Sequence, residues 1–297
     1  MNLTYESFLL TSNPRQFLHK SRASAHPLPM PELPEMENYR RQLSRFLVGK
    51  TAQSIIAEWP KRLNCPAEVA SPAIAGSPIE SIERRGKSLA IGFERAPDTF
   101  RVLYIHLMLG GRISISREAQ PAPVTLTLQD GLRVNFHVGL GRLDFLSPGA
   151  LRQRWAHLGV EPLSPTYNGD RLQSAYSHSS RPIKTCLMDQ KVVAGIGNVY
   201  SDEICYDVGL YPGQPASSLT DFQWQRLGAV LPTVLEKAVD AGGVGPPIYE
   251  GDQVTGGFRA QLAVHYQEGK ACGNGGIVVK GPIGGRTAYW CSDCQPT

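Results

Sequence analysis

The chain has 297 residues, 41% of them hydrophobic, and a formal net charge of +4. That length exceeds the usual single core and fits two domains with a small appendage, and the apolar content excludes a wholly disordered chain. No apolar run approaches the roughly 20 residues of a membrane helix, so no membrane partner is expected; the weak positive charge suits nucleic acid and many ordinary enzymes alike.

Residues 1–29 show no hydrophobic periodicity, and Glu6 is their only acid. Serines and arginines with few acids suit a targeting peptide, although Phe8-Leu9-Leu10 is too short for the apolar core of a secretion signal. The preferred reading is a start codon assigned too far upstream, with the protein beginning at Met30.

Residues 35–48 place Met36, Tyr39, Leu43, Phe46 and Leu47 on one face at helical spacing, behind Pro34 and ahead of Gly49, which predicts an amphipathic helix. Residues 88–93 and 99–106 read as strands. Residues 124–128 and 132–136 alternate apolar and polar side chains across Gln129-Asp130-Gly131, a hairpin signal. Short antiparallel strands in series predict a sandwich or barrel. Helical pattern returns over residues 150–157, then from Ile183 to a break at Gly195-Ile196-Gly197-Asn198, then over 199–208. A last helix, residues 220–239, opens with Thr220-Asp221-Phe222-Gln223 in capping-box form. Ala241-Gly242-Gly243-Val244-Gly245-Pro246-Pro247 ends the helical pattern. The tail from Gln261 is glycine-rich and holds Cys272, Cys291 and Cys294; Cys65, Cys186 and Cys205 are scattered. This is no secreted disulfide framework, so a reducing, cytoplasmic location is expected.

Met30-Pro31-Glu32-Leu33-Pro34-Glu35-Met36-Glu37 would by itself be a proline-rich entry to a helix. It also resembles the N-terminal signature of the formamidopyrimidine-DNA glycosylase / endonuclease VIII family, and the resemblance continues in register to Cys294. Arg84-Arg85-Gly86-Lys87 is similar to the family's β-elimination lysine segment, and His106-Leu107 to a strand end. Leu158-Gly159-Val160-Glu161-Pro162-Leu163 is similar to its interdomain segment. Ile183-Lys184 with residues 190–200 resembles its helix–two-turn–helix motif, and residues 286–291 the end of its zinc-finger hairpin. One such match is weak; six in family order are specific.

The resemblance implies an α+β fold: an N-terminal β-sandwich with a flanking helix, a helical helix–two-turn–helix domain, and a C-terminal zinc-finger-like β-hairpin. The expected division is an extension at 1–29, a catalytic domain at 30–148, a DNA-binding domain at 149–245, and a lesion loop with the hairpin at 246–297. It further implies a base-excision repair glycosylase and abasic-site lyase, a monomer acting on double-stranded DNA with damaged bases or abasic sites, at the nucleoid. Oxidised purines such as 8-oxoguanine and formamidopyrimidines are the expected substrates, with β,δ-elimination of the sugar. An endonuclease VIII-like enzyme for oxidised pyrimidines and a non-catalytic binder of damaged DNA stay open.

The implied chemistry has a physical logic. A lyase of this kind needs an amine that attacks the sugar C1′ and forms an iminium. An α-amine has a pKa of about 7.7–8.0 against about 10.4 for lysine, so part of it is neutral at cellular pH. Inside a peptide bond the proline nitrogen is inert, its lone pair delocalised. Pro31 can therefore act only as the first residue, which motivates the start at Met30. Family matching makes Glu32 the acid/base and Lys87 a general acid in strand cleavage. It makes Arg286 a phosphate-reaching residue that assists the second elimination. Glu35, His106, Lys184, Gly197 and Asn198 match DNA-side positions. Against these stand plainer readings: acids stabilising a helix start, a solvated strand lysine, a simple Gly-x-Gly turn. Glycines followed by a helix start are also expected to present amides to a phosphate.

Three departures stand out. The family's two Cys-x-x-Cys pairs become Cys272 with Gly275 in its partner's place, then Cys291 and Cys294. Zinc then needs His265 or water as fourth ligand, or the hairpin holds by packing without zinc. The strand-end segment reads Met108-Leu109-Gly110-Gly111, leaving Met108 or Leu109 to fill the gap of an everted base. The second gap-filling loop reads Val138-Gly139-Leu140-Gly141-Arg142-Leu143-Asp144; Arg142 is expected to keep an arginine's role, with Leu143 or Phe145 replacing an aromatic.

Overall fold

The computed structural model describes residues 30–297; the reading of residues 1–29 as an extension lies outside them. Helix α1 (Leu33–Leu47) starts two residues ahead of the expected position. Pro34 sits in its first turn, where a missing N–H costs nothing, and Glu35 accepts the Glu32 N–H at 2.9 Å. Met36, Tyr39, Leu43 and Leu47 are buried, and Phe46 packs edge-on against Tyr249 with ring centroids 5.0 Å apart.

The strands that follow are β1 (Ala52–Ala57), β2 (Ile79–Arg85), β3 (Ser88–Phe93), β4 (Val102–His106), β5 (Arg112–Ser116), β6 (Val124–Leu128), β7 (Arg133–His137) and β8 (Arg142–Leu146), with α2 (Ala67–Ile74) between β1 and β2. They form two four-stranded sheets, ordered β1-β6-β7-β5 and β2-β3-β4-β8, every pair antiparallel. Ile55, Leu126, Val134 and Ile113 from one sheet meet Leu89, Ile91, Leu103, Ile105 and Leu143 from the other in one buried cluster. Strand β3 is buried on both faces, because α3 (Pro148–Trp155) covers its outer side. A doubly buried strand reads as an unbroken apolar run. The expected hairpin is β6–β7, with Gly131 in the left-handed region at φ +82. The strand expected from Thr99 starts at Val102, since Asp98–Phe100 form a short 3-10 turn behind Pro97.

Helices α4 (Asp170–Tyr176), α5 (Ile183–Leu187), α6 (Asn198–Val208) and α7 (Asp221–Asp240) build a second core around Tyr200, Leu187, Leu227 and Leu231. The expected capping box opens α7: Thr220 Oγ1 accepts the Gln223 N–H at 3.2 Å, and Gln223 Oε1 accepts the Thr220 N–H at 2.9 Å. Strands β9 (Val278–Ile283) and β10 (Arg286–Cys291) form the C-terminal hairpin. The two cores trade one residue each: Leu33 packs in the helical core and Ile248 in the sandwich. Among the described residues no helix is long and apolar enough to cross a membrane.

Candidate active site

The tight turn between β2 and β3 delivers Lys87. Its arginines face the other way, toward the segment that enters the helical core. Arg84 pairs with Glu37 at 3.0 Å and Glu161 at 2.8 Å, Arg85 donates to the Leu158 carbonyl at 3.1 Å, and Gly86 N–H donates to Glu161 at 2.5 Å. Val160 in turn pairs with Val193 as an isolated bridge. Two of the sequence motifs are therefore one fastening, and Lys87 is the residue it leaves free to face the site.

The chain after Pro31 lies on the loop before α6. Leu33 N–H donates to the Gly195 carbonyl at 2.9 Å. Gly195 has φ +103, and a Cβ there would meet Leu33 Cβ at 2.6 Å, so only glycine allows this approach. At Gly197 a Cβ would meet Glu32 Cδ at 2.5 Å and Lys87 Nζ at 2.6 Å: the carboxyl and the ammonium converge on one bare α-carbon.

Glu32 is buried. Its oxygens accept the Gly197 N–H at 2.5 Å and the Val199 N–H at 2.8 Å, with Tyr200 N–H at 3.5 Å. Helix α6 begins with a glycine cap that has no side chain. A carboxylate from far back in the chain supplies the missing cap, where the helix dipole favours negative charge. This corrects one expectation. The Gly197 amide holds Glu32, not a DNA phosphate.

Glu35 also departs from its expected DNA-side place. It is buried, and its oxygens accept Tyr200 O–H at 2.5 Å, Val244 N–H at 2.9 Å and Glu32 N–H at 2.9 Å. Burial is the largest influence on its carboxyl and pushes its pKa up to about 7, with the Glu32 charge adding to it, against the lowering effect of the donors. Lys87 is half-buried; burial lowers its pKa, the Glu32 charge opposes this, and the Arg286 charge adds to it. The His106 pKa is lowered by burial and then by the charges of Lys87 and Arg154.

Lys184 is the clearest correction. It is 0% exposed, and its ammonium donates to Asp202 Oδ1 at 2.6 Å, Ser201 Oγ at 2.9 Å and the Asn198 carbonyl at 3.0 Å. Its three donors are taken by protein acceptors at the start of α6. A buried charge needs such pairing, and Asp202 was invisible as its partner from sequence alone. Asn198 itself is half-buried, with Nδ2 donating to the Thr287 carbonyl on β10 at 3.0 Å, and Arg286 beside Thr287 is exposed.

On the sandwich side, His106 and Arg142 are register partners at the ends of β4 and β8. Arg142 Nε donates to Asp144 at 2.8 Å. Met108, at φ +56, and Leu109 are exposed. Leu143 and Phe145 are buried in the sandwich core, so neither replaces the lost aromatic. Leu140, which the sequence reading passed over, is exposed in the same loop; its flanking glycines were the available signal.

Near the hairpin, the Cys272, Cys291 and Cys294 sulfurs lie 2.6–3.2 Å apart and form a group able to hold a metal. Gly275 has open space where a fourth side chain would stand. His265 is no candidate for that place: it is buried elsewhere, with Nδ1 on Asp202 Oδ2 at 2.8 Å.

Two family profiles match this chain: the formamidopyrimidine-DNA glycosylase N-terminal domain over residues 30–139 and the formamidopyrimidine-DNA glycosylase H2TH domain over residues 158–248. The formamidopyrimidine-DNA glycosylase of Bacillus subtilis (strain 168) is 33% identical over 278 residues, covering 90% of this chain and 99% of the relative. That of Shouchella clausii is 33% identical over 279 residues with the same shares. Among solved structures, Lactococcus lactis Fpg in complex with abasic-site DNA superposes with a TM-score of 0.81 at 26% identity, covering 90% of this chain and 100% of that one. MutM (Fpg) from Thermus thermophilus superposes with a TM-score of 0.77 at 32% identity, covering 89% and 98%.

Proposed function

The chain belongs to the formamidopyrimidine-DNA glycosylase family, and from that premise we propose how its own residues carry out the reaction. It is a bifunctional DNA glycosylase and abasic-site lyase that acts on oxidised purines in DNA. The observation that carries the residue-level reading is the convergence at Gly197 of Lys87 and of Glu32, the residue that follows Pro31 in the chain.

The nucleophile is the secondary amine of Pro31, in a chain that begins there. Its lone pair attacks C1′ as the bond to the damaged base breaks, and the base leaves with a proton. The amine then loses its proton, and its lone pair expels O4′ from C1′ as O4′ takes a proton, so the sugar ring opens and leaves a cationic iminium, an electron sink for the next step. Removal of a C2′ proton then expels the 3′ phosphate, and a second elimination expels the 5′ phosphate. Glu32 is the proton carrier beside the amine, held in place by the α6 amides. Lys87, with its lowered pKa, gives up a proton readily and serves as the general acid of strand cleavage. Arg286 on the hairpin turn, with Asn198 beside it, holds phosphate and assists the second elimination. His106, Met108 and Leu109 face the DNA from the sandwich. The names of the relatives favour oxidised purines over the endonuclease VIII-like preference, and an enzyme over a mere binder.

Three thiolates suit zinc, a borderline-soft ion of tetrahedral preference. We assign Cys272, Cys291 and Cys294 as its ligands, with water at the open side by Gly275; zinc would supply a structural tie and no step of the reaction. The division at residues 30–148, 149–245 and 246–297, a monomeric state and action at the cytoplasmic nucleoid belong to the same proposal.

The test is borohydride reduction on an abasic duplex. Protein beginning at Pro31 is expected to form a covalent adduct, with Pro31→Gly as the control for stray lysines. An unreactive Pro31 form would overturn the reading.

A further inference from the structure

Two arginines share one buried carboxylate on the outer face of the β2-β3-β4-β8 sheet. Leu103, Ile105, Leu143 and Phe145 pack in the sandwich core. The residues that alternate with them, Tyr104 and His106 on β4 and Arg142 and Asp144 on β8, therefore face outward. They lie in register as Tyr104↔Asp144 and His106↔Arg142, and α3 brings Arg154 over them. The Asp144 side chain is only 4% exposed. Its Oδ1 accepts Arg142 Nε–H at 2.8 Å and its Oδ2 accepts Arg154 Nη1–H at 3.1 Å. The Arg154 guanidinium also lies over the Tyr104 ring, 5.2 Å from its centroid.

This arrangement fixes both cations without using them up. A guanidinium carries several N–H donors, and among the described residues each of these two spends a single one, on Asp144. One carboxylate against two guanidiniums leaves a positive excess. Both side chains reach solvent, Arg142 57% and Arg154 44% exposed. The excess lies on the side of the active site. Trp155, next to Arg154, donates Nε1–H to Ser88 Oγ at 2.9 Å, and Ser88 follows Lys87 in the chain. The His106 imidazole feels the charges of both Lys87 and Arg154. Fastening α3 to β8 needs only the Arg154–Asp144 pair, so a second arginine on the same carboxylate is surplus to that task.

Fixed guanidiniums with unspent N–H groups suit a phosphate, whose oxygens accept paired bonds from the planar fork. We propose that Asp144 holds Arg154 and Arg142 as a two-guanidinium fork for a backbone phosphate of the bound DNA, which makes Arg154 a DNA-binding residue. This rests on the DNA-enzyme reading above. Such a contact sets the register of the duplex against Lys87 and carries no base preference.

The test is the salt dependence of binding to a duplex with a tetrahydrofuran abasic analogue, from about 50 to about 200 mM salt. Arg154→Met is expected to bind about tenfold more weakly at the low-salt end, with the slope of log affinity against log salt shallower by about one. Arg154→Gln, which keeps a hydrogen-bonding head toward Asp144, should show the same loss of slope if Arg154→Met does not fold. Arg154→Lys keeps the charge and should keep the slope. Arg152→Met, an exposed arginine two residues away on α3, should bind as wild type does. A wild-type slope in Arg154→Met or Arg154→Gln, or an equal loss in Arg152→Met, would overturn the fork. Wild type that fails to bind the duplex would strike the DNA-enzyme reading and the fork together. Wild type that binds and is trapped by borohydride, while the Arg154 variants keep its slope, would strike the fork alone.

Discussion

The Tyr200 hydroxyl donates to Glu35 at 2.5 Å, joining the first helix of the sandwich domain to the helix that caps on Glu32. This carboxyl is held at a pKa of about 7 against an ordinary 4.5. A raised folded-state pKa favours the protonated form. The stability it contributes is full below about 4.5 and is lost as pH rises through about 7, on the order of 3 kcal/mol in all. Thermal unfolding from pH 4.5 to 8 should show this loss. Glu35→Gln should flatten it, at some cost in stability because an amide NH₂ faces a donor. Parallel pH curves for the two proteins would contradict the assignment.

Gly197→Ala tests the meeting point of Glu32 and Lys87. The added methyl would lie 2.5 Å from Glu32 Cδ and 2.6 Å from Lys87 Nζ, so both groups must move. Loss of placement by about 1 Å costs on the order of a hundredfold in rate. Single-turnover lyase assays should show a loss of at least about tenfold. Gly131→Ala, in a turn with open space, should show a stability cost of about 1 kcal/mol and an unchanged rate.

Lys184 separates the structural role from the one its sequence position suggested. Breaking a fully buried pair strands a charge and costs about 3–5 kcal/mol. Lys184→Met should therefore be strongly destabilised in urea titrations, from loss of the Asp202 contact. The salt dependence of DNA binding by its folded fraction should match wild type, since a lost phosphate contact would lower the slope by about one.

The hairpin thiols make a prediction about metal retention. With three cysteines and an open fourth side at Gly275, zinc should pass readily to a chromogenic chelator. Gly275→Cys should slow the release, despite a left-handed φ of +89 that disfavours a side chain. Identical release rates would remove the open side as the cause. The hairpin should stay docked without metal, because Asp202 accepts Tyr289 N–H and Asn198 Nδ2 donates to the Thr287 carbonyl.

Elements whose signal is local were legible in the sequence. The helical stripe Met36, Leu43, Leu47, the β6–β7 hairpin and the capping box at Thr220 each carry their pattern within a few residues. Strand β1 was not legible, since only Ala52 and Ile55 of its six residues are buried. Sites built over long sequence distances were read by residue type and misplaced in contact. Lys184 looked like a DNA-side residue until Asp202 enclosed it. The amides before α6 looked like an anion site, and they are one, but the anion is Glu32. Leu140 escaped notice because a leucine between glycines says nothing until both loops are placed.

In the proposed reaction the amine of Pro31 is the group that bonds to the sugar. The most direct measurement is peptide mass mapping of the borohydride-reduced adduct formed on an abasic duplex. The sugar mass is expected on the N-terminal peptide, at Pro31 itself. A sugar found on Lys87 or another lysine, or an adduct of equal yield from protein whose Pro31 is still joined to Met30, would contradict it.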